Sequence, residues 1–142
     1  HSHPELSVSK WRSDEIVVVA AAGHPLAERR AGARQLNHAT WVLREPGSGT
    51  REASDRWLIP HLTQMEVELE LGSNEAVKRV VAAGLGLGCL SRLAVKEAIA
   101  EGWLVELATT LPPMQRTLSI VLHRAKKLGA AAEGFLRHCT TD

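Results

Sequence analysis

The run REPGSGTR (44–51) sets a proline and two glycines around Ser48 and Thr50, with Arg44 and Arg51 at its ends. Gly47 and Gly49 permit positive φ and close approach of backbone to a ligand, and Ser48 and Thr50 can cap a helix that starts where the glycines stop. That combination is suited to holding an anion. A second run, GSNE (72–75), has the same character. Ser73 or Asn74 caps the helix that follows it, and Glu75 falls in the first turn, where the macrodipole favours a carboxylate.

Catalytic readings of the same residues lack support. Ser48 as a nucleophile would need a base, yet His24, His38 and His61 stand at no spacing that pairs them with it, and the GxSxG elbow is absent. GLGLG (84–88) fails the dinucleotide fingerprint GxGxxG because Cys89 occupies the third glycine position, and the run follows a helical pattern where the fingerprint follows a strand. GSGT lacks the lysine of a phosphate-binding loop. The glutamates of EVELEL (66–71) alternate along one strand face, as a solvated stripe does.

The elements that must position these residues alternate in kind. DEIVVVA (14–20) is a continuous β-branched run, the pattern of a strand buried on both faces, and after a polar connection TWVL (40–43) is a short second strand leading into the glycine-rich loop. Helical spacing runs from Thr50 to about Leu58, where Pro60 stops it. EVELEL is the next strand, and GSNEAVKRVVAAG (72–84) the clearest helix, with Ala76, Val77, Val80 and Val81 on one apolar face. LGLGCLS (85–91) reads as a buried strand, SRLAVKEAIAEG (91–102) as a helix, and WLVEL (103–107) as a strand. TTLPPMQ (109–115) breaks the pattern, and one more strand (117–124) and one more helix (130–138) follow it. Repeated strand–helix alternation predicts an α/β fold, a three-layer domain whose sheet is rich in parallel pairs. In such a sheet the helices opened at 47–50 and 72–74 start at the same carboxyl edge, where their unpaired N–H groups and hydroxyls converge on a ligand.

Composition bounds the function. The 142 residues are 44% hydrophobic and 23% charged, which is globular, and 17 Lys+Arg against 16 Asp+Glu leave no concentrated basic face for DNA binding by this chain alone. Cys89 and Cys139 have neither CxxC spacing nor clustered histidines, so no zinc site and no cofactor is expected. No apolar run approaches the ~20 residues that span a bilayer, and HSHPELSVSKWR has no signal-peptide core, so a cytoplasmic protein without membrane contact is expected.

The ordered series VVVAAAGHPLA (17–27), WVLREPGSGTR (41–51), LELGSNEAVKRVVAAGLGLGCLSRLAV (69–95) and GWLVEL (102–107) resembles the effector-binding region of LysR-type transcriptional regulators, close to the CysB group. The resemblance implies a fold like the type II periplasmic binding proteins, with two α/β lobes joined by two crossing strands. Residues 1–15 would then be the first crossing, 16–107 a complete second lobe, and 108–142 the return crossing with the last strand and helix of the first lobe. The first half of that lobe and the winged helix-turn-helix domain are not matched, so the resemblance implies a truncated sensor.

By the same resemblance a small, often anionic effector would contact Ser48, Gly49, Thr50, Ser73 and Asn74, with Arg44 and Arg51 beside them. Binding would shift the lobes and the packing of dimers or tetramers, and promoter DNA would be engaged through the missing domain. Arg92, Val95 and Ile99 would contribute to a side-by-side homodimer. A solute-binding protein of the transport type, or an enzyme on the same two-lobe scaffold, are the alternatives.

Overall fold

The computed structural model describes residues 9–121. Six strands, β1 (Ser9–Ala21), β2 (Thr40–Arg44), β3 (Glu66–Leu71), β4 (Leu87–Ser91), β5 (Leu104–Leu107) and β6 (Met114–Val121), form one sheet. Its order is β3-β2-β4-β1-β5, with β6 on the first half of β1. Among the described residues four α-helices accompany it: α1 (Ala33–Asn37), α2 (Gly49–Leu58), α3 (Asn74–Ala82) and α4 (Arg92–Glu101).

β2 pairs parallel with both β3 and β4, as strand–helix alternation predicts. β1 does not follow that rule. It runs antiparallel to β4, β5 and β6, so the sheet is mixed, with β1 inserted the opposite way between β4 and β5. The strands joined by helices do share one direction, but a strand entering from outside the β-α repeat has no crossover to set its sense. β6 pairs with β1 from Ser9↔Val121 to Ile16↔Met114, making a two-stranded ribbon that leaves the sheet beyond Ser91, the partner of Ile16.

The continuous run of β1 is explained by burial on both sides. Ile16, Val18 and Ala20 pack on one face with Trp41, Leu43, Leu87, Cys89 and the inner side of α2, where Ala53, Trp57 and Leu58 lie. Val17 and Val19 pack on the other with Val42, Leu90, Leu104 and the inner sides of α3 and α4, where Val77, Val81, Val95 and Ala98 lie. The result is three layers. Val95 is fully buried in the chain's own core, Ile99 packs against the same cluster, and Arg92 is bound to Glu15 and Glu106. That removes Val95 from the expected dimer contact, because its apolar side chain is already covered by α3 and the sheet.

Serine opens three helices. The Oγ of Ser48 accepts from Arg51 N at 2.8 Å, that of Ser73 from Ala76 N at 3.0 Å, and that of Ser91 from Leu93 N at 3.1 Å. α4 ends on Gly102 at φ 89°, a left-handed cap that glycine adopts without strain. A 3₁₀ turn, Pro25–Glu28, and the five-residue α1 occupy what reads as a polar connection. The helix expected over 130–138, the end of the strand expected over 117–124, and Cys139 lie outside the described residues. Among the described residues no helix is long and apolar enough to cross a membrane.

One buried carboxylate ties the ribbon to the sheet. Asp14 accepts from Ser91 Oγ at 2.7 Å, from Glu15 N at 2.8 Å and from Arg116 Nε at 3.0 Å, so β1, β6 and the cap of α4 meet at one side chain.

Close packing at β4 supplies a test. A Cβ on Gly88 would lie 2.9 Å from Val81 Cγ2 and 3.2 Å from Val19 Cγ2, both in the core beneath α3. Gly88→Ala is expected to destabilise the chain by about 1–3 kcal/mol through overpacking. Urea unfolding with an unchanged midpoint would contradict this packing.

Candidate functional site

The parallel register of β2 and β3 sets Arg44 opposite Leu71, and Glu45 N donates to Leu71 O at 2.9 Å. Both strands therefore end side by side, and the two loops that follow open α2 and α3 at the same edge of the sheet. α4 starts at that edge too, after the parallel β4. This third start lies outside the expected site, which rests on the glycine-led starts at 47–50 and 72–74 alone.

A direct bond joins the two loops. Arg44 is buried, and its Nη1 donates to Asn74 Oδ1 at 2.8 Å while its Nε donates to Glu45 Oε1 at 2.9 Å. The Arg44 guanidinium holds the Glu45 carboxyl below the usual carboxylate range, chiefly through that hydrogen bond. Arg51 makes the second tie: its Nη1 donates to Arg44 O at 2.9 Å and to Glu70 Oε2 at 2.7 Å, and its Nε to Asp55 Oδ1 at 3.0 Å. Burial pulls the Arg51 guanidinium down, but the hydrogen bonds to Glu70 and Asp55 outweigh it and leave the group above its ordinary value.

The seven expected residues thus divide by geometry. Arg44 and Asn74 are bonded across the two loops, and Arg51 binds the α2 side to β3. Ser48 is the cap of α2, Gly49 is exposed at its first position, and Thr50 is fully buried. Ser73 is the exposed cap of α3. Both serine hydroxyls spend a lone pair on their own helix and keep a proton to donate. Glu45, Asp55 and Glu70 offset the two arginines, so net charge does not draw an anion here. The positive potential left at this edge is that of the helix N–H groups and dipoles, each terminus carrying roughly half a positive charge.

Next to the start of α4 lies a cleft of about 240 Å³ lined by Ser13, Asp14, Glu15, Arg92, Leu93 and Gln115. Arg92 is held there by Glu15 at 2.9 Å and Glu106 at 2.6 Å. Elsewhere, Cys89 is fully buried, and burial pushes its thiol up to about 12, which keeps it protonated and removes it as a nucleophile near neutral pH. Among the described residues no three His, Cys, Asp or Glu side chains are grouped to hold a metal.

The LysR substrate binding domain family matches residues 1–142. The HTH-type transcriptional regulator YeiE of Escherichia coli is 44% identical over 135 residues, 95% of this chain and 46% of YeiE. The HTH-type transcriptional activator CmpR of Synechocystis is 32% identical over 136 residues, 95% of this chain and 45% of CmpR. The chain spans a little under half the length of these relatives. The solved regulatory domain of Synechocystis CcmR, in complex with 2-PG, superposes with a TM-score of 0.70 at 31% identity, covering 93% of this chain and 65% of that one. The effector-binding domain of QuiR, in complex with shikimate, shares the fold at a TM-score of 0.64 and 17% identity, covering 93% of this chain and 64% of that one.

Asn74→Ala removes the acceptor for Arg44 Nη1 and leaves Arg44 its bond to Glu45. A loss of about 1–2 kcal/mol is expected, at the low end for a hydrogen bond to a charged group, together with amide shift changes in the 44–51 loop. Full stability with an unmoved 44–51 loop would show that the two loops are not joined through this pair.

Proposed function

This chain belongs to the LysR substrate-binding domain family, and on that premise we propose that it is the effector-sensing part of a LysR-type transcriptional regulator, a ligand-binding and not a catalytic unit. The observation that supports the proposal is the Arg44–Asn74 bond, which ties the end of β2, just before the loop that opens α2, to the first residue of α3 at the carboxyl edge of the sheet. A small anionic effector accepts there from the helix N–H groups and from the hydroxyls of Ser48 and Ser73, with Gly49, Thr50 and Asn74 completing the contact. Arg44 and Arg51 serve as the frame that holds the loops. The 2-PG bound to CcmR and the shikimate bound to QuiR support a small-molecule ligand for this family of domains.

Residues 16–107 act as one lobe of the sensor, and the β1–β6 ribbon is the crossing toward the other. A ligand held between lobes changes the regulator only by favouring one of two arrangements over the other. In the whole cytoplasmic regulator that change reaches promoter DNA through a helix-turn-helix domain, of the kind the relatives' names state, within a dimer or tetramer.

Sulfate titration followed by amide NMR tests the site. The amides of Ser48, Gly49, Thr50, Ser73 and Asn74 are expected to move together, saturating on the order of millimolar, about 4 kcal/mol. Ser73→Asp separates binding from folding, because aspartate caps a helix as well as serine does yet repels an anion. It is expected to keep the thermal midpoint and lose the sulfate response. Shifts scattered over surface arginines, equal in wild type and Ser73→Asp, would mean nonspecific pairing.

A further inference from the structure

At the edge of the sheet opposite the proposed effector site, where β2 and β4 begin, an open cleft of about 300 Å³ is lined by His24, Leu26, Gln35, His38, Ala39, Thr40, Gly84, Gly86 and Leu87. We propose that this cleft is a second small-molecule site, taking a small hydroxy acid whose carboxylate is held by His24 and Gln35 and whose hydroxyl is held by His38.

The polarity of each side chain follows from the backbone bond it already makes. Leu26 N donates to His24 Nδ1 at 3.0 Å, so the neutral His24 ring carries its proton on Nε2 and offers a donor. His38 Nδ1 lies 3.0 Å from Arg34 O, which can only accept, so the neutral His38 ring keeps its proton on Nδ1 and offers the Nε2 lone pair. Gly32 N donates to Gln35 Oε1 at 2.9 Å, which commits the amide oxygen and leaves the NH₂ to donate outward. Two donors, one acceptor and the Thr40 hydroxyl therefore line the cleft together with Leu26, Ala39 and Leu87.

The cleft differs from its neighbours in charge. The clefts at Glu15 are lined by Asp14, Glu15 or Glu106, whereas no carboxylate lines this one. A carboxylate ligand meets no repulsion from the lining. A metal fits less well, because ligation through His24 Nε2 would require the proton to move to Nδ1 and break the bond from Leu26 N. The wall is also narrowly set: a Cβ on Gly86 would lie 2.9 Å from Thr40 O, so glycine is what lets the entry to β4 lie against the start of β2.

The test is a lactate titration of the chain, read from the imidazole nitrogen and carbon-bound proton resonances. The His24 and His38 signals are expected to move together along one saturating curve on the order of millimolar. His24→Asn retains an acceptor for Leu26 N and removes the Nε2 donor, and it should weaken lactate at least tenfold with the thermal midpoint preserved. Gln35→Glu retains the acceptor for Gly32 N and replaces the outward NH₂ by a carboxylate oxygen, with the same expected loss. If His24→Asn fails to fold, Gln35→Glu decides alone. Wild-type lactate binding in the folded variants, a response that does not saturate, or movement of the Ser48 and Ser73 amides without the imidazoles would each overturn the proposal.

Discussion

Parallel pairing of β2 with β3 is the constraint on which the candidate site depends. With Arg44 opposite Leu71, each strand hands its chain to a loop and a helix on the same edge, and the loops are close enough for one buried guanidinium to bond across them. A one-residue slip would turn Arg44 toward the other face and leave Asn74 without its donor. Positioning therefore comes from the sheet, while the polar groups of the proposed site come from the helix starts. In the proposed site this separates framework from binding groups, since the arginines that look most like anion receptors are already paired with Glu45, Asp55 and Glu70.

The second organising contact is Asp14. A buried carboxylate is tolerated when its lone pairs are occupied, and here Ser91, Arg116 and the Glu15 N–H occupy them. Removing one partner of such a group costs far more than the pair contributes, because the remaining charge is stranded. The ribbon of β1 and β6 is thereby anchored where α4 begins, on the same edge as the starts of α2 and α3. Ser91 joins the ribbon to α4, since it both donates to Asp14 and caps the helix.

Much of this was legible in the residues, and the exceptions have physical causes. EVELEL coincides with β3, Glu66–Leu71, because an edge strand with one solvated face shows a clean alternation. The helix starts at Ser48, Ser73 and Ser91 were legible because capping is local chemistry. Strand direction was not: Ile16 to Val19 are buried on both faces, and that pattern reads the same for a parallel and an antiparallel strand. Pro25–Glu28 and α1 read only as a polar connection because elements this short show no helical period. Arg44 and Arg51 read as flanking charges, since only the fold brings Asn74 and Glu70 to them. Val95 belongs to the buried face of α4, which spacing alone could not distinguish from a face offered to a partner.

The central claim is that the starts of α2 and α3 form one anion site. Anomalous diffraction from crystals of the chain grown in selenate measures this directly. The account predicts a selenium peak within hydrogen-bond distance of both the 48–50 loop and the 73–74 loop. Peaks confined to surface arginines and lysines, with that edge of the sheet empty, would contradict it.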